Sequence, residues 1–327
     1  MDPMKEPLLL IPACKDYLWG GTRLKTEYHK RSDRPVIAES WELSCHPDGP
    51  SRVANGPLAG HTLPEALALL GPGCLGKRAR RFGRFPLLIK LIDAEKDLSI
   101  QVHPDDGYAL AHEGEYGKTE MWYVVDAKPG ASLIYGFEQE ISRQELARRM
   151  EDNTLLEVLH RQPVKAGDLL FLPAGTIHAI CGGVLIAEIQ QNSNTTYRVY
   201  DYGRLGADGK PRALHVEKAL EVISIQKPAP LASPLVETSP TGNQRRHLAR
   251  CPYFDAHWLR VQETMILDSG ADSFCSLLFL EGQGRLQWQG GVLPFSKGDS
   301  FFVPAGLGRF TLSGPAVLLA TKVGEEG

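Results

Sequence analysis

A short internal repeat places the tightest constraint on what this chain can fold into. The stretch Gly167-Asp168-Leu169-Leu170-Phe171-Leu172-Pro173-Ala174-Gly175-Thr176-Ile177-His178 is matched position by position by Gly298-Asp299-Ser300-Phe301-Phe302-Val303-Pro304-Ala305-Gly306-Leu307-Gly308-Arg309. Each copy reads as a turn, a short apolar strand, a Pro/Gly turn and entry into the next strand, since Gly and Pro punctuate a run too short for a helix. Two such copies predict two similar β units. The copies differ at their last position, where His178 of the first faces Arg309 of the second.

The second chemical signal lies upstream, in Leu98-Ser99-Ile100-Gln101-Val102-His103-Pro104. Along an extended strand side chains alternate, so Ser99, Gln101 and His103 share one face while Ile100 and Val102 enter a core. Glu120 opens another apolar strand, Met121-Trp122-Tyr123-Val124-Val125. An amide oxygen, two imidazoles and a carboxylate make a zinc-type nitrogen and oxygen donor set, so Gln101, His103, Glu120 and His178 are the expected metal ligands. His112, Glu113 and Glu115 are weaker competitors, because the polar stretch 104–117 reads as a loop with no strand to hold them.

The turn–strand–turn–histidine stretch resembles the second motif of cupin β-barrels, whose closing histidine reaches a metal in the barrel. Gln101 stands where many cupins have another histidine, and Gln-x-His followed by Lys118-Thr119-Glu120 is similar to the zinc site of phosphomannose isomerases. Further stretches resemble the short bacterial form of that family in the same order. They are Leu18-Trp19-Gly20-Gly21, Glu39-Ser40-Trp41-Glu42, His46-Pro47-Asp48-Gly49, Gly117-Lys118-Thr119-Glu120-Met121-Trp122 and Gln190-Gln191-Asn192-Ser193-Asn194-Thr195-Thr196-Tyr197-Arg198. Longer members carry a histidine where this chain has Gly117, so any part of that histidine in proton transfer is absent or filled elsewhere. The short form also lacks a large helical insertion, which leaves the far end of the phosphate to other groups.

The resemblance implies a mainly β protein of two cupin (jelly-roll β-barrel) domains with a small helical insertion. The expected division is a metal-binding catalytic domain at 1–223 and a linker at 224–249, where Pro228, Pro230, Pro234 and Pro240 stand among Ser, Thr and Gly. A C-terminal cupin-like barrel lacking metal ligands, structural or oligomeric in role, follows at 250–327. After residue 223 only His247 and His257 remain, and neither sits in a Gln-x-His or His-x-His pattern. Helices are expected at 62–70, where Thr62 caps and Pro64 falls in the first turn, at 141–161 with a break near Asp152-Asn153, and at 214–223. The basic run Lys77-Arg78-Ala79-Arg80-Arg81 reads as a solvated loop.

The resemblance further implies a zinc-dependent aldose–ketose isomerase that interconverts mannose 6-phosphate and fructose 6-phosphate through an enediol, with one zinc ion. Glu188, ten residues after His178 and ten before Arg198, is nominated around the proton transfer together with Lys118. A salt-bridged strand residue is the competing reading of Glu188. A guanidinium can grip phosphate or enediolate oxygens bidentately, so Arg198 is assigned to catalysis or substrate binding. Trp19 and Ser99 join Lys118 and Arg198 as substrate-binding residues, while Tyr200, Asp201 and Tyr202 are expected to continue the barrel wall. A non-catalytic sugar-binding cupin regulator and a metal-dependent cupin dioxygenase are the alternatives. The first could dispense with Glu188, Lys118 or Arg198, and the second is disfavoured by Gln101 as an extra neutral ligand.

Bulk properties narrow the setting. With 36 Lys plus Arg against 39 Asp plus Glu, the net charge of -3 gives no general attraction to nucleic acid or an anionic membrane. Any anionic substrate must therefore meet local positive groups. Leu8-Leu9-Leu10-Ile11 stops at Pro12, too short for a secretion signal or a membrane span. Six scattered cysteines without a Cys-x-x-Cys suggest reduced thiols and a cytoplasmic protein, a monomer or homodimer whose partner is a sugar phosphate.

Overall fold

The computed structural model describes residues 5–206 and 209–326. Most regular structure is β, as expected. A six-stranded sheet runs in the order Leu169–Leu172, Glu120–Ala127, Val184–Gln191, Leu87–Ala94, Glu39–Leu43, Ala13–Lys15. A five-stranded sheet runs Tyr197–Tyr200, Ile100–Val102, His178–Ile180, Ser132–Phe137, Leu159–Pro163. Ile92, Trp122, Val124, Leu170 and Ile186 of the first sheet share one core cluster with Leu133, Tyr135 and Ile180 of the second. The two sheets therefore pack face to face as a cupin sandwich, with the ligand-bearing face turned inward.

The last quarter of the chain builds an eleven-stranded sheet that includes Gln244–Arg250, Phe254–Val261, Cys275–Trp288, Ser300–Val303 and Ala316–Val323. The N-terminal strand Leu8–Ile11 joins it, pairing with Ser300–Val303 on one side and Arg52–Val53 on the other. The first strand of the chain thus belongs to the sheet of its last quarter. All but the last residue of Gln244–Arg250 lies inside the stretch expected as linker. Its ladder to Phe254–Val261, with Leu248 buried in the core, makes it a strand despite its three arginines.

Both copies of the repeat form the expected turn, strand and turn. Gly167 and Gly298 have φ of 89° and 93°, and Gly175 and Gly306 have φ of 87° and 72°, values that a side chain resists. The copies diverge at the end. His178 is buried, whereas Arg309 is exposed and lies opposite Asp268 across a ladder. Phenylalanines fill the interior of the second unit, with Phe279 and Phe295 stacked at 4.1 Å between ring centres.

The helix Leu63–Leu70 forms with the full reciprocal cap, as Thr62 Oγ1 accepts from the Glu65 amide and the Glu65 carboxylate accepts from the Thr62 amide at 2.8 Å. Residues 141–161 resolve into helix Arg143–Glu151, a left-handed Asn153 with φ of 57°, a 3-10 turn at Leu155–Val158 and a strand. The loop expected at 104–117 instead contains helix Asp106–His112, capped by Asp105. The basic run is not free in solvent. Arg78 and Arg81 donate to the carbonyls of Val323 and Gly324 at 3.2 and 3.0 Å and tie down the C-terminal strand end. No helix among the described residues is long and apolar enough to cross a membrane.

Candidate active site

Three ladders bring the predicted ligands together. His178 sits directly opposite Gln101, which is opposite Arg198 on its other side, so three site residues line up across the five-stranded sheet. Glu120 starts a strand of the facing sheet, where it is opposite Gln190, two residues beyond Glu188. The Gly175 amide donates to the His103 carbonyl at 2.8 Å, joining the two histidine segments through the repeat's second turn.

The imidazoles are oriented from behind. His103 Nδ1 donates to the Thr195 carbonyl and His178 Nδ1 to the Thr176 carbonyl, each at 2.8 Å, so both Nε2 lone pairs face the centre. Burial, helped by the Lys118 charge, holds His103 well below its ordinary value and His178 down to about 3. Both rings are therefore neutral and able to ligate. Glu120 is completely buried, and neither of its oxygens has a hydrogen-bond partner. Its only close cation is Lys118 Nζ at 2.7 Å, and burial pushes its carboxyl up to about 8.

This donor set fits zinc. Tetrahedral bonds of about 2.0–2.1 Å place ligand atoms roughly 3.3 Å apart. Here His178 Nε2 lies 3.3 Å from Glu120 Oε1, His103 Nε2 lies 3.9 Å from Glu120 Oε2, and the Gln101 amide lies 3.4 Å from His178 Nε2. Half a turn of the Gln101 amide presents its oxygen to the same point. Beyond Lys118 no other donor reaches the buried Glu120 carboxylate, so a metal ion held with the two imidazoles would add the charge partner that its other oxygen lacks.

A cavity of about 310 Å³ opens beside this centre. Trp19, Ser99, Gln101, Lys118, Glu188 and Arg198 all line it, so every nominated substrate or proton-transfer residue faces one space. Trp19 is buried there. The adjacent glycines serve packing instead of ligand approach, for a Cβ on Gly20 would lie 2.5 Å from that of Ala38. Arg198 Nε donates to Ser99 Oγ at 3.2 Å and Nη1 to the Ala213 carbonyl at 3.0 Å.

Glu188 is held by three groups. Trp122 Nε1 donates to Oε1 at 3.0 Å, Lys90 Nζ lies 3.1 Å from Oε2, and Lys118 Nζ lies 3.8 Å from Oε1. Burial would raise its pKa, but the two ammonium groups overcome this and bring it down to about 2. Lys90 also faces Glu39 at 3.7 Å, and Glu39 accepts from Trp41 Nε1 at 2.7 Å.

Lys90, Glu39 and Arg212 also line the cavity; Glu39 stood in one of the family-like stretches without an assigned role, and Lys90 and Arg212 were not picked out from the sequence. Lys90 had a signal, as the lone charge in the otherwise apolar run Phe85–Ile92. Arg212 had none, because its position is set through Asp201. Asp201 does not merely continue the barrel wall, for its carboxylate grips Arg212 Nε at 2.7 Å and also pairs with Arg204. The outlying histidine His46 pairs with Glu115 at 3.1 Å, away from the cavity lining.

Comparison with known proteins places the chain in a family. The family described as "Phosphomannose isomerase type I, catalytic domain" matches residues 8–128, and "Mannose-6-phosphate isomerase, cupin domain" matches residues 243–323. Mannose-6-phosphate isomerase ManA of Bacillus subtilis is 41% identical over 97% of this chain and 99% of its own length. The probable mannose-6-phosphate isomerase GmuF of the same organism is 40% identical over 95% of this chain and 97% of its own. A crystal structure of the Bacillus subtilis mannose 6-phosphate isomerase superposes with a TM-score of 0.89 at 37% identity, covering 96% of this chain and 99% of that one. With the fold, the buried donor cluster and near-complete coverage of these relatives in agreement, the chain belongs to the type I phosphomannose isomerase family.

Proposed function

We infer that this chain interconverts mannose 6-phosphate and fructose 6-phosphate, moving a proton between C1 and C2 through an enediol. The observation that supports this most directly is the buried His103, Glu120 and His178 cluster opening onto a cavity that also holds Lys118, Glu188 and Arg198. Gln101, His103, Glu120 and His178 would hold one zinc ion, which when bound supplies positive charge to the sugar's carbonyl and hydroxyl oxygens as the enediolate develops.

The residues divide the remaining work. Lys118 and Glu188 are the two cavity groups near the centre that can carry a proton, and their 3.8 Å separation makes them act as a pair. Lys90 keeps the Glu188 carboxylate in place from the opposite side. Arg198, Arg204 and Arg212 act on one another with Asp201 as the carboxylate among them. Three guanidiniums against one carboxylate leave a local charge of about +2, suited to a phosphate dianion. Trp19 and Ser99 border the sugar, and Ser99 also fixes Arg198. A reducing cytoplasmic setting, with the chain as monomer or homodimer, suits a sugar-phosphate enzyme whose six cysteines are free.

The test is conversion of fructose 6-phosphate to mannose 6-phosphate by native protein, by chelator-treated protein before and after zinc, and by His103→Ala. Activity lost to chelator, restored by zinc and missing in His103→Ala is expected. Bound metal without isomerisation of either sugar phosphate would overturn the assignment.

A further inference from the structure

A second set of side chains of metal-ligating type lies in the last quarter of the chain, on a cavity that shares no lining residue with the one described above. His247 and His257 are directly opposite each other across the antiparallel ladder of Gln244–Arg250 and Phe254–Val261. Cross-strand partners present their side chains on one face, and a residue two places along shares it. Asp255 is that residue, and the three side chains converge.

Asp255 Oδ1 lies 3.0 Å from His247 Nε2 and 3.7 Å from His257 Nδ1. These separations bracket the roughly 3.3 Å expected between ligands of tetrahedral zinc. The other oxygen, Oδ2, accepts from Arg250 at 2.9 Å, which fixes the carboxylate and leaves Oδ1 toward the imidazoles. Asp255 is nearly buried at the base, His257 is partly covered and His247 is half-exposed at the rim.

The three residues border a cavity of about 580 Å³. Its lining includes four arginines and lysines and four carboxylates, a balance that favours neither a bare anion nor repulsion of a divalent cation. Nitrogen and oxygen donors of this kind suit a borderline divalent ion more than a hard one.

We propose that His247, Asp255 and His257 form a second zinc site, with three protein ligands and an open position facing this cavity. The site is unrelated to the one lost from the repeat, since Arg309 replaces His178 elsewhere in the same unit. The second half thus lacks the cupin-type ligands yet presents a different set, assembled by strand pairing.

Native protein, His247→Ala, His257→Ala and His103→Ala would each be stripped of metal, dialysed against Zn²⁺ and assayed for zinc per chain and for isomerisation. Native protein is expected to hold two ions. His247→Ala and His257→Ala should each hold one with kcat/KM unchanged, and His103→Ala should hold one with isomerisation lost. Thermal melting gives a second readout, because a ligand bound only by the folded state raises Tm. Zinc should raise Tm of His103→Ala but not of His103→Ala/His257→Ala. Equal zinc content in native protein and His257→Ala, or an equal zinc-dependent rise in both backgrounds, would overturn the second site. Native zinc content in His103→Ala would instead count against the first site and leave this proposal standing.

Discussion

Replacing Glu188 by glutamine isolates one charge at the centre of the site. The amide keeps an oxygen to accept from Trp122 Nε1, now at 3.0 Å, and keeps the volume of a side chain that is 3% exposed. What disappears is the negative charge 3.1 Å from Lys90 and 3.8 Å from Lys118. Unpairing a buried ion pair typically destabilises by about 3–5 kcal/mol. The lower end applies, since Lys90 retains Glu39 at 3.7 Å and Lys118 retains Glu120 at 2.7 Å. A loss of about 3 kcal/mol corresponds to a Tm drop of roughly 5 °C for a chain of this size.

The same change should lower kcat by about 10²–10⁴ if the Glu188–Lys118 pair carries the proton. Glu188→Leu also leaves the Trp122 indole without an acceptor and should lose a further 1–3 kcal/mol or so. Turnover of fructose 6-phosphate, measured below the melting range, and thermal unfolding of both variants separate the two effects. A Glu188→Gln enzyme with kcat within tenfold of native would refute the assignment of proton transfer to this pair. An unchanged Tm would refute the reading of Glu188 as the charge that holds Lys90.

Arg198→Lys replaces a guanidinium anchored on Ser99 and the Ala213 carbonyl by a point charge, and is expected to raise KM for fructose 6-phosphate at least tenfold; an unchanged KM would remove Arg198 from phosphate recognition. Asp201 is a positioning residue, so Asp201→Asn should free Arg212 and raise KM more than it lowers kcat, which steady-state kinetics would show directly. Burial would raise the Asp201 pKa, but Arg212 and Arg204 hold it below the usual carboxylate range. Its contribution to stability is therefore present above about pH 4 and lost as pH falls through its folded value, and acid unfolding of Asp201→Asn should lack that component. Thr62→Ala removes one half of the reciprocal cap on Leu63–Leu70 and should cost about 1 kcal/mol in urea unfolding without changing turnover.

Local patterns were legible wherever one side chain's chemistry decides its own neighbourhood. Thr62 and Pro64 announced a helix start, and the glycines of the repeat announced turns because only a residue without Cβ adopts their φ at little cost. Polar residues defeated the reading where pairing outweighed composition. Gln244–Arg250 was read with the Pro-, Ser- and Thr-rich stretch before it as linker, yet ladder bonds and one buried leucine suffice to make a strand. Lys90 was passed over in an apolar run, since a buried ammonium makes sense only once Glu188 and Glu39 are known to face it.

By itself the sequence determined the doubled turn–strand–turn unit, the asymmetry between His178 and Arg309, and the shared face of Gln101 and His103, while the mainly β class came through the family resemblance. The first three follow from spacing of two along strands and from turn chemistry, both local. Tertiary structure alone decided that Glu188 lies between two lysines, that Asp201 aims Arg212 at the cavity, and that His247 meets Asp255 and His257. Each of these depends on which strands pair and in what register, and register is set by burial of whole sheet faces, not by any neighbouring residue.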